Sequence, residues 1–430
     1  MKRCLLWVVF IGCLGFGAVA QESPSGPEQA AMKAIRPDAI RAHMRFLSDS
    51  LLRGRAPGTP GYEVAARYVA AQLEAAGLHP AGVNGTWYQT VPLRKSVLDD
   101  GKSSLVLITK GGEQTLVPLK DYVQIGDLIK TDNGVEAPVV FAGFGVTAKE
   151  HDYDDYAGAD VKGKIVVVMD GAPAKFPSTV RAYYSDSLVK QRNAVAHGAV
   201  GFIDVMTPED QKRYAWDWIV PQVQMGSMEW LEKNGIPHNT FPELRGGALL
   251  SQSGAEKLFA GAGKTLDQVF ETARAGRPQS LALPVTARIH TVSSHTSADS
   301  PNIIGEVPGS DPALRNQYVV YTAHVDHLGI CPPANGDNVC HGALDNASGT
   351  ASLLEIARGF ASLPKAPRRS ILFVFVTGEE MGLLGSDYFA NFPMVPRRRP
   401  EQRRQRYPKR LRCPGRSLGP LRHDNGDIYG

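Results

Sequence analysis

The stretch QYVVYTAHVDH, residues 317–327, runs mostly apolar and then breaks at His324 into two histidines and a carboxylate. A short apolar run rich in β-branched and aromatic residues reads as a buried strand. Further on, SGTASLLEIARGFASL places Leu353, Leu354, Ile356, Ala357 and Phe360 at helical spacing, and SILFVFV reads as another buried strand, ending at Thr377-Gly378-Glu379-Glu380. This alternation predicts an α/β fold, a mostly parallel sheet sandwiched by helices. Ligands of such sheets gather beyond the carboxyl ends of the strands.

Outward from that core, helical patterns are expected at 38–52 and 60–76. The second has Thr59 as N-cap, Pro60 in the first turn, small and apolar Ala65, Ala66, Val69, Leu73 and Ala76 on one face, and Gly77 as a stop. Between 128 and 283 the texture changes to short apolar strands separated by glycine turns, such as VVFAGFGV, GKIVVVMDG and GAVGFIDV. That stretch reads as a smaller β-rich domain inserted into a larger one made of 21–127 and 284–395. GAGKT at 261–265 imitates the end of a phosphate loop, but Leu258 stands where that loop needs its first glycine, so a helical surface is the better reading.

The chain has 430 residues, 43% of them hydrophobic, enough for real cores. Met1-Lys2-Arg3, the run LLWVVFIG and Ala18-Val19-Ala20 follow the basic, apolar, small order of an export signal, 1–20, with cleavage expected after Ala20 and a secreted or periplasmic product. The apolar run is too short to span a membrane. Lipid anchoring through Cys13 weighs less, because Phe10 stands where an aliphatic residue is usual. Cys331 and Cys340, nine positions apart in a turn-rich loop, are expected to pair in an oxidising compartment. The net charge of +4 is uneven: residues 396–430 hold ten Arg and one Lys against three acids, leaving the body near −4. The body is therefore no basic nucleic-acid binder.

Three polar clusters fall where strands or turns end: His324-Val325-Asp326-His327, Asp345-Asn346 and Glu379-Glu380. Singly, each has an ordinary reading. Asp345 could cap the following helix, Glu379-Glu380 could form an acidic first turn, and His324 could be a satisfied core histidine. Together, so many acids without matching Lys or Arg would repel one another, and a divalent cation removes that conflict.

The motifs AHVDHLG (323–329), GALDNASGTASLLEIAR (342–358) and FVFVTGEEMGLLGS (373–386) resemble those of the co-catalytic dizinc aminopeptidases related to aminopeptidase Y, glutamate carboxypeptidase II and the transferrin receptor. The resemblance covers about 35–393 and extends to a protease-associated domain at 128–283. It implies a zinc exopeptidase-like (phosphorylase/hydrolase-like) fold, peptide or protein substrates, and two Zn2+ ions per complete site. By similarity His324 ligates one zinc, Asp345 bridges both, and Glu380 ligates the other, with His327 outside the ligand set. Asp326 would orient the His324 imidazole. Glu379 would be the general base, taking a proton from the attacking water and returning it to the leaving amine. The Asp345-Asn346 bond is expected to be cis.

The same resemblance calls for a further Asp and a final His downstream, and neither motif follows. From Met394 the text turns to MVPRRRPEQRRQRYPKRLRCPGRSLG, Arg- and Pro-rich without apolar periodicity. A shifted reading frame near Met394 explains this better than a basic binding tail, because it begins where a core strand is due. The chain would then be an inactive, poorly folding fragment of an active lineage, with His423, Asp424 and Asp427 as makeshift ligands at best. A non-catalytic binding protein on the same fold is the rival reading.

Overall fold

The computed structural model describes residues 26–395 apart from Pro278 and Asn335. The expected export signal, Cys4, Cys13, the Arg-rich tail and Cys413, His423, Asp424 and Asp427 lie outside the described residues.

Helix α1, Pro37–Leu47, starts on a proline in its first turn. It stops five residues before the expected 52. Ser48 leaves the helical region, and the Asp49 side chain accepts the Leu51 N–H to open a short 3-10 segment, Ser50–Arg55. Helix α2, Pro60–Ala75, forms where the sequence places it: the Thr59 side chain accepts the Tyr62 N–H, and one face buries Tyr62, Ala65, Ala66, Val69 and Leu73. Gly77, at φ 84, turns the chain away.

The central sheet of the main domain is built from β1, Tyr88–Leu98, β2, Leu281–Val307, β3, Tyr318–His324, and, after helix α3, Ser348–Ala361, from β4, Ser370–Val376. Helix α4, Leu384–Asn391, follows. The expected α/β class, a large sheet flanked by helices, is what forms, and its pairing is mixed. Strand β2 runs antiparallel to both β1 and β4, while β3 and β4 are parallel, Tyr318 opposite Ser370 through His324 opposite Val376. The parallel pair is the one joined by a helix crossover, α3, as a parallel connection requires. On the other side, the chain leaves β1 for the insert and returns along β2 in the opposite direction.

Every residue of β4 is buried, and its alternation serves two cores. Ile371, Phe373 and Phe375 meet Leu47, Tyr62 and Leu353 from the helices on one face. Leu372, Val374 and Val376 meet Ile304 and Phe389 on the other. Each such side chain contributes about 1.5–3 kcal/mol on burial. Strand β3 differs: Val319, Val320 and Tyr321 stay 37–41% exposed, and among the described residues it pairs with β4 alone.

In the insert, strands Asp132–Phe141, Ile165–Met169, Gly201–Val205 and Gly247–Leu250 pair in parallel, one after the next. The first half of β2 closes that sheet antiparallel, so one 27-residue strand belongs to both domains. Leu105, Leu107, Leu116 and Tyr122, which precede the expected start at 128, pack into the insert's core. Conversely Ser227–Trp230 pairs with β1, and Met228 and Trp230 pack against Leu384 of the main domain. The phosphate-loop look-alike is a helix start: Thr265 and Gln268 form a capping box on Leu266–Arg274.

Candidate metal centre

Strand β3 carries His324 to its end, where the Thr350 hydroxyl of α3 donates to the His324 carbonyl at 2.7 Å. Strand β4 ends beside it, and Gly378, at φ 64, turns the chain so that Glu379 and Glu380 come back over the strand ends. The neighbouring turn begins at Gly342, φ 59, and brings in Asp345. Three strand-end or turn segments thus converge where an α/β sheet places its ligands.

His324 Nε2 lies 3.0 Å from Asp345 Oδ1 and 3.7 Å from Glu379 Oε2. Glu380 Oε1 lies 2.5 Å from His327 Nδ1. One donor atom each from His324, Glu379 and Glu380 fall within 4.8 Å of one another. The Asp345 side chain is 68% exposed, so the site opens to solvent on that side, while His324 is 11% exposed. An imidazole nitrogen and several carboxylate oxygens gathered this closely form a donor set that suits zinc. His327, which the resemblance leaves outside the ligands, is the partner that holds Glu380.

Asp326 is fully buried beneath the site. Its Oδ1 accepts the Glu379 N–H at 3.2 Å and its Oδ2 the Glu380 N–H at 3.3 Å. It therefore aims the two adjacent glutamates through their main chain. Its Oδ1 stays 3.8 Å from His324 Nδ1, beyond hydrogen-bond distance, and the closer approach is between Nδ1 and the Asp326 carbonyl, 3.3 Å. Burial pushes the Asp326 carboxyl up to about 6, against the pull of the Glu379 N–H and of His324.

The capping question at Asp345 resolves on its neighbour. Asn346 Oδ1 accepts the Gly349 N–H at 3.0 Å and so closes the first turn of α3. That leaves the Asp345 carboxylate pointing to His324. The Asp345-Asn346 peptide is cis. Of the further ligands that the resemblance calls for, none comes from the residues after Glu380 that are described. Asp387, in α4, accepts the Trp230 indole N–H at 3.0 Å instead.

Cys331 and Cys340 are bonded across the hairpin formed by Gly329–Ala334 and Asp337–Cys340, with their Cα atoms 5.8 Å apart. The hairpin leads directly into His341 and Gly342, ahead of Asp345. Cutting it with a Cys331→Ser, Cys340→Ser pair is expected to cost about 2–3 kcal/mol by chain entropy. The urea midpoint of the oxidised protein should drop accordingly, and an unchanged midpoint would contradict a stabilising role.

Sequence reasoning passed over Arg55, whose buried guanidinium reaches the loops on both sides of the site. The signal available was LLRGRAPGTPG, an arginine between glycine turns, but nothing in it says that the arginine points inward.

Residues 302–406 match the model of peptidase family M28, and residues 135–230 match that of the PA domain. Aminopeptidase NAALADL1 of Rattus norvegicus is 40% identical over 96 residues, 21% of this chain and 11% of that protein. Aminopeptidase YwaD of Bacillus subtilis is 36% identical over 97 residues, 22% of this chain and 18% of that protein. The matched stretches span less than a fifth of the length of either relative. Among solved structures, an aminopeptidase from Aneurinibacillus sp. strain AM-1 aligns with TM-score 0.47 and 19% identity, covering 85% of this chain and 68% of that one. No helix among the described residues is long and apolar enough to cross a membrane.

Proposed function

We propose, from the premise that this chain belongs to the dizinc aminopeptidase family, with an M28 segment at 302–406 and a PA domain inserted at 135–230, that it is an exported zinc-dependent metallopeptidase removing N-terminal residues from peptides. The observation that carries the reading is the convergence of His324, Glu379 and Glu380 within 4.8 Å, with Asp345 Oδ1 3.0 Å from the same imidazole. His324, Asp345 and Glu380 would hold zinc, Asp345 serving two ions in a complete site. Zinc held there would supply Lewis-acid polarisation of the scissile carbonyl and lower the pKa of a bound water.

The chain's own residues do the rest. Glu379, 35% exposed at the open side, takes the proton of the attacking water and delivers it to the leaving amine. Asp326 keeps that carboxylate and Glu380 apart in direction, since it anchors the two N–H groups on separate oxygens. His327 restrains Glu380 through Nδ1. The downstream Asp and His motifs that the resemblance calls for do not follow Glu380, and a site held by His324, Asp345 and Glu380 alone would turn over slowly.

That same gap favours a second reading, a non-catalytic binding protein on this fold. Metal analysis and hydrolysis of aminoacyl p-nitroanilides by the full chain, with and without a chelator, separate the two. Bound zinc with chelator-sensitive release of amino acids supports the peptidase. Folded protein that takes up no zinc and releases nothing overturns it in favour of binding.

A further inference from the structure

We infer that Arg55 is a positioning residue for the candidate metal centre: its guanidinium clamps together the two loops that present His324 and Asp345. The inference rests on the zinc-site reading above and assigns a role to a residue outside the ligand set.

Arg55 is 1% exposed, and its donors go to main-chain carbonyls. Nε donates to Val325 O at 2.8 Å, between His324 and Asp326. Nη1 donates to His341 O at 2.8 Å and to Leu47 O at the end of α1. Nη2 donates to Gly342 O at 3.1 Å, at the start of the turn that carries Asp345. The Arg55 carbonyl in turn accepts the His327 N–H at 3.2 Å, and the His327 ring holds Glu380. The side chain therefore reaches the backbone next to His324 and the turn before Asp345, and the main chain of the same residue reaches Glu380 through His327.

The backbone is shaped for this purpose. Arg53, Gly54 and Arg55 are all left-handed, at φ 48, 69 and 51. Such values are uncommon for arginine and persist only where the surroundings over-determine them. A Cβ on Gly54 would stand 2.4 Å from Gly329 O and 2.5 Å from Cys340 O, so the segment is wedged against the disulfide hairpin. Burial lowers the Arg55 pKa to about 10, against the pull of Asp326 and Glu380, so the group stays charged at neutral pH. A guanidinium offers five donors in a fixed plane, whereas an ammonium offers three around one point. Lysine keeps the charge and cannot span both loops.

The test uses the full chain as wild type, Arg55→Lys and Arg55→Ala. Zinc affinity is read by competition with a chromophoric chelator, and amide exchange is read in metal-free protein. Both variants should bind zinc about 10–100-fold more weakly, the range seen for groups that orient metal ligands. Amides at 323–328 and 341–347 should exchange faster while those of Ser370–Val376 do not. Methylguanidinium should restore the affinity of Arg55→Ala, and methylammonium should not. Wild-type zinc affinity in Arg55→Lys, or unchanged exchange at both loops, overturns the assignment. Loss of the melting transition in both variants also overturns it, making Arg55 a residue of the fold alone. A wild-type protein that binds no zinc sinks the peptidase reading, and the exchange arm then decides on Arg55 by itself.

Discussion

Glu379→Gln should lower kcat of the zinc-loaded protein by about 10²–10⁴-fold, the range a positioned general base contributes, with zinc content unchanged. Glutamine keeps the shape of the side chain and the main-chain N–H that donates to Asp326 at 3.2 Å. It removes only the ability to accept a proton. The zinc measurement matters because Glu379 shares a potential donor group with His324 and Glu380. A variant that loses zinc along with activity would make Glu379 a ligand, and the division of labour between the adjacent glutamates would have to be redrawn.

His324→Ala should abolish zinc binding at the site. The loss should exceed the roughly 10–100-fold expected for an orienting group, because it deletes a donor atom. His324 is the imidazole of the donor group, and the nearby His327 is engaged with Glu380. Wild-type protein at a free zinc concentration of 100 times Kd should gain about 2.7 kcal/mol of stability, and the variant none. Thermal unfolding with and without zinc reads this directly. Equal zinc-induced shifts in both proteins would place the metal elsewhere in the chain.

Much of the site was legible because its parts are local. Thr59 before Pro60 announces a helix start, and the hydroxyl caps it as expected. The continuous apolar run of SILFVFV predicts a strand covered on both faces, and β4 is buried along its whole length. The residues at the ends of β3 and β4 follow from where those apolar runs stop. Boundaries resting on distant partners were not legible. The helix expected to reach 52 ends at Leu47, since the following residues are needed in a left-handed turn against the hairpin at 329–340. The mixed pairing of the sheet depends on β2, whose sequence carries a polar middle, SSHTSADS, and no continuous apolar run to announce one strand shared by two domains. Asp326 looked like a partner for the His324 ring, two residues away. Its carboxylate also accepts from two amides 53 and 54 residues on, which no spacing rule reveals.

What the sequence by itself determined is the set of elements and the chemistry at their ends: strand, helix and strand from hydrophobic period, caps from side-chain type, and acids and histidines from the places where the apolar runs stop. Tertiary structure alone decided how those ends face one another. Arg55 meets Val325 across 270 residues of chain and Gly342 across 287. Periodicity and capping act over a few residues, whereas a buried guanidinium must find every partner among whatever carbonyls the completed packing brings to it.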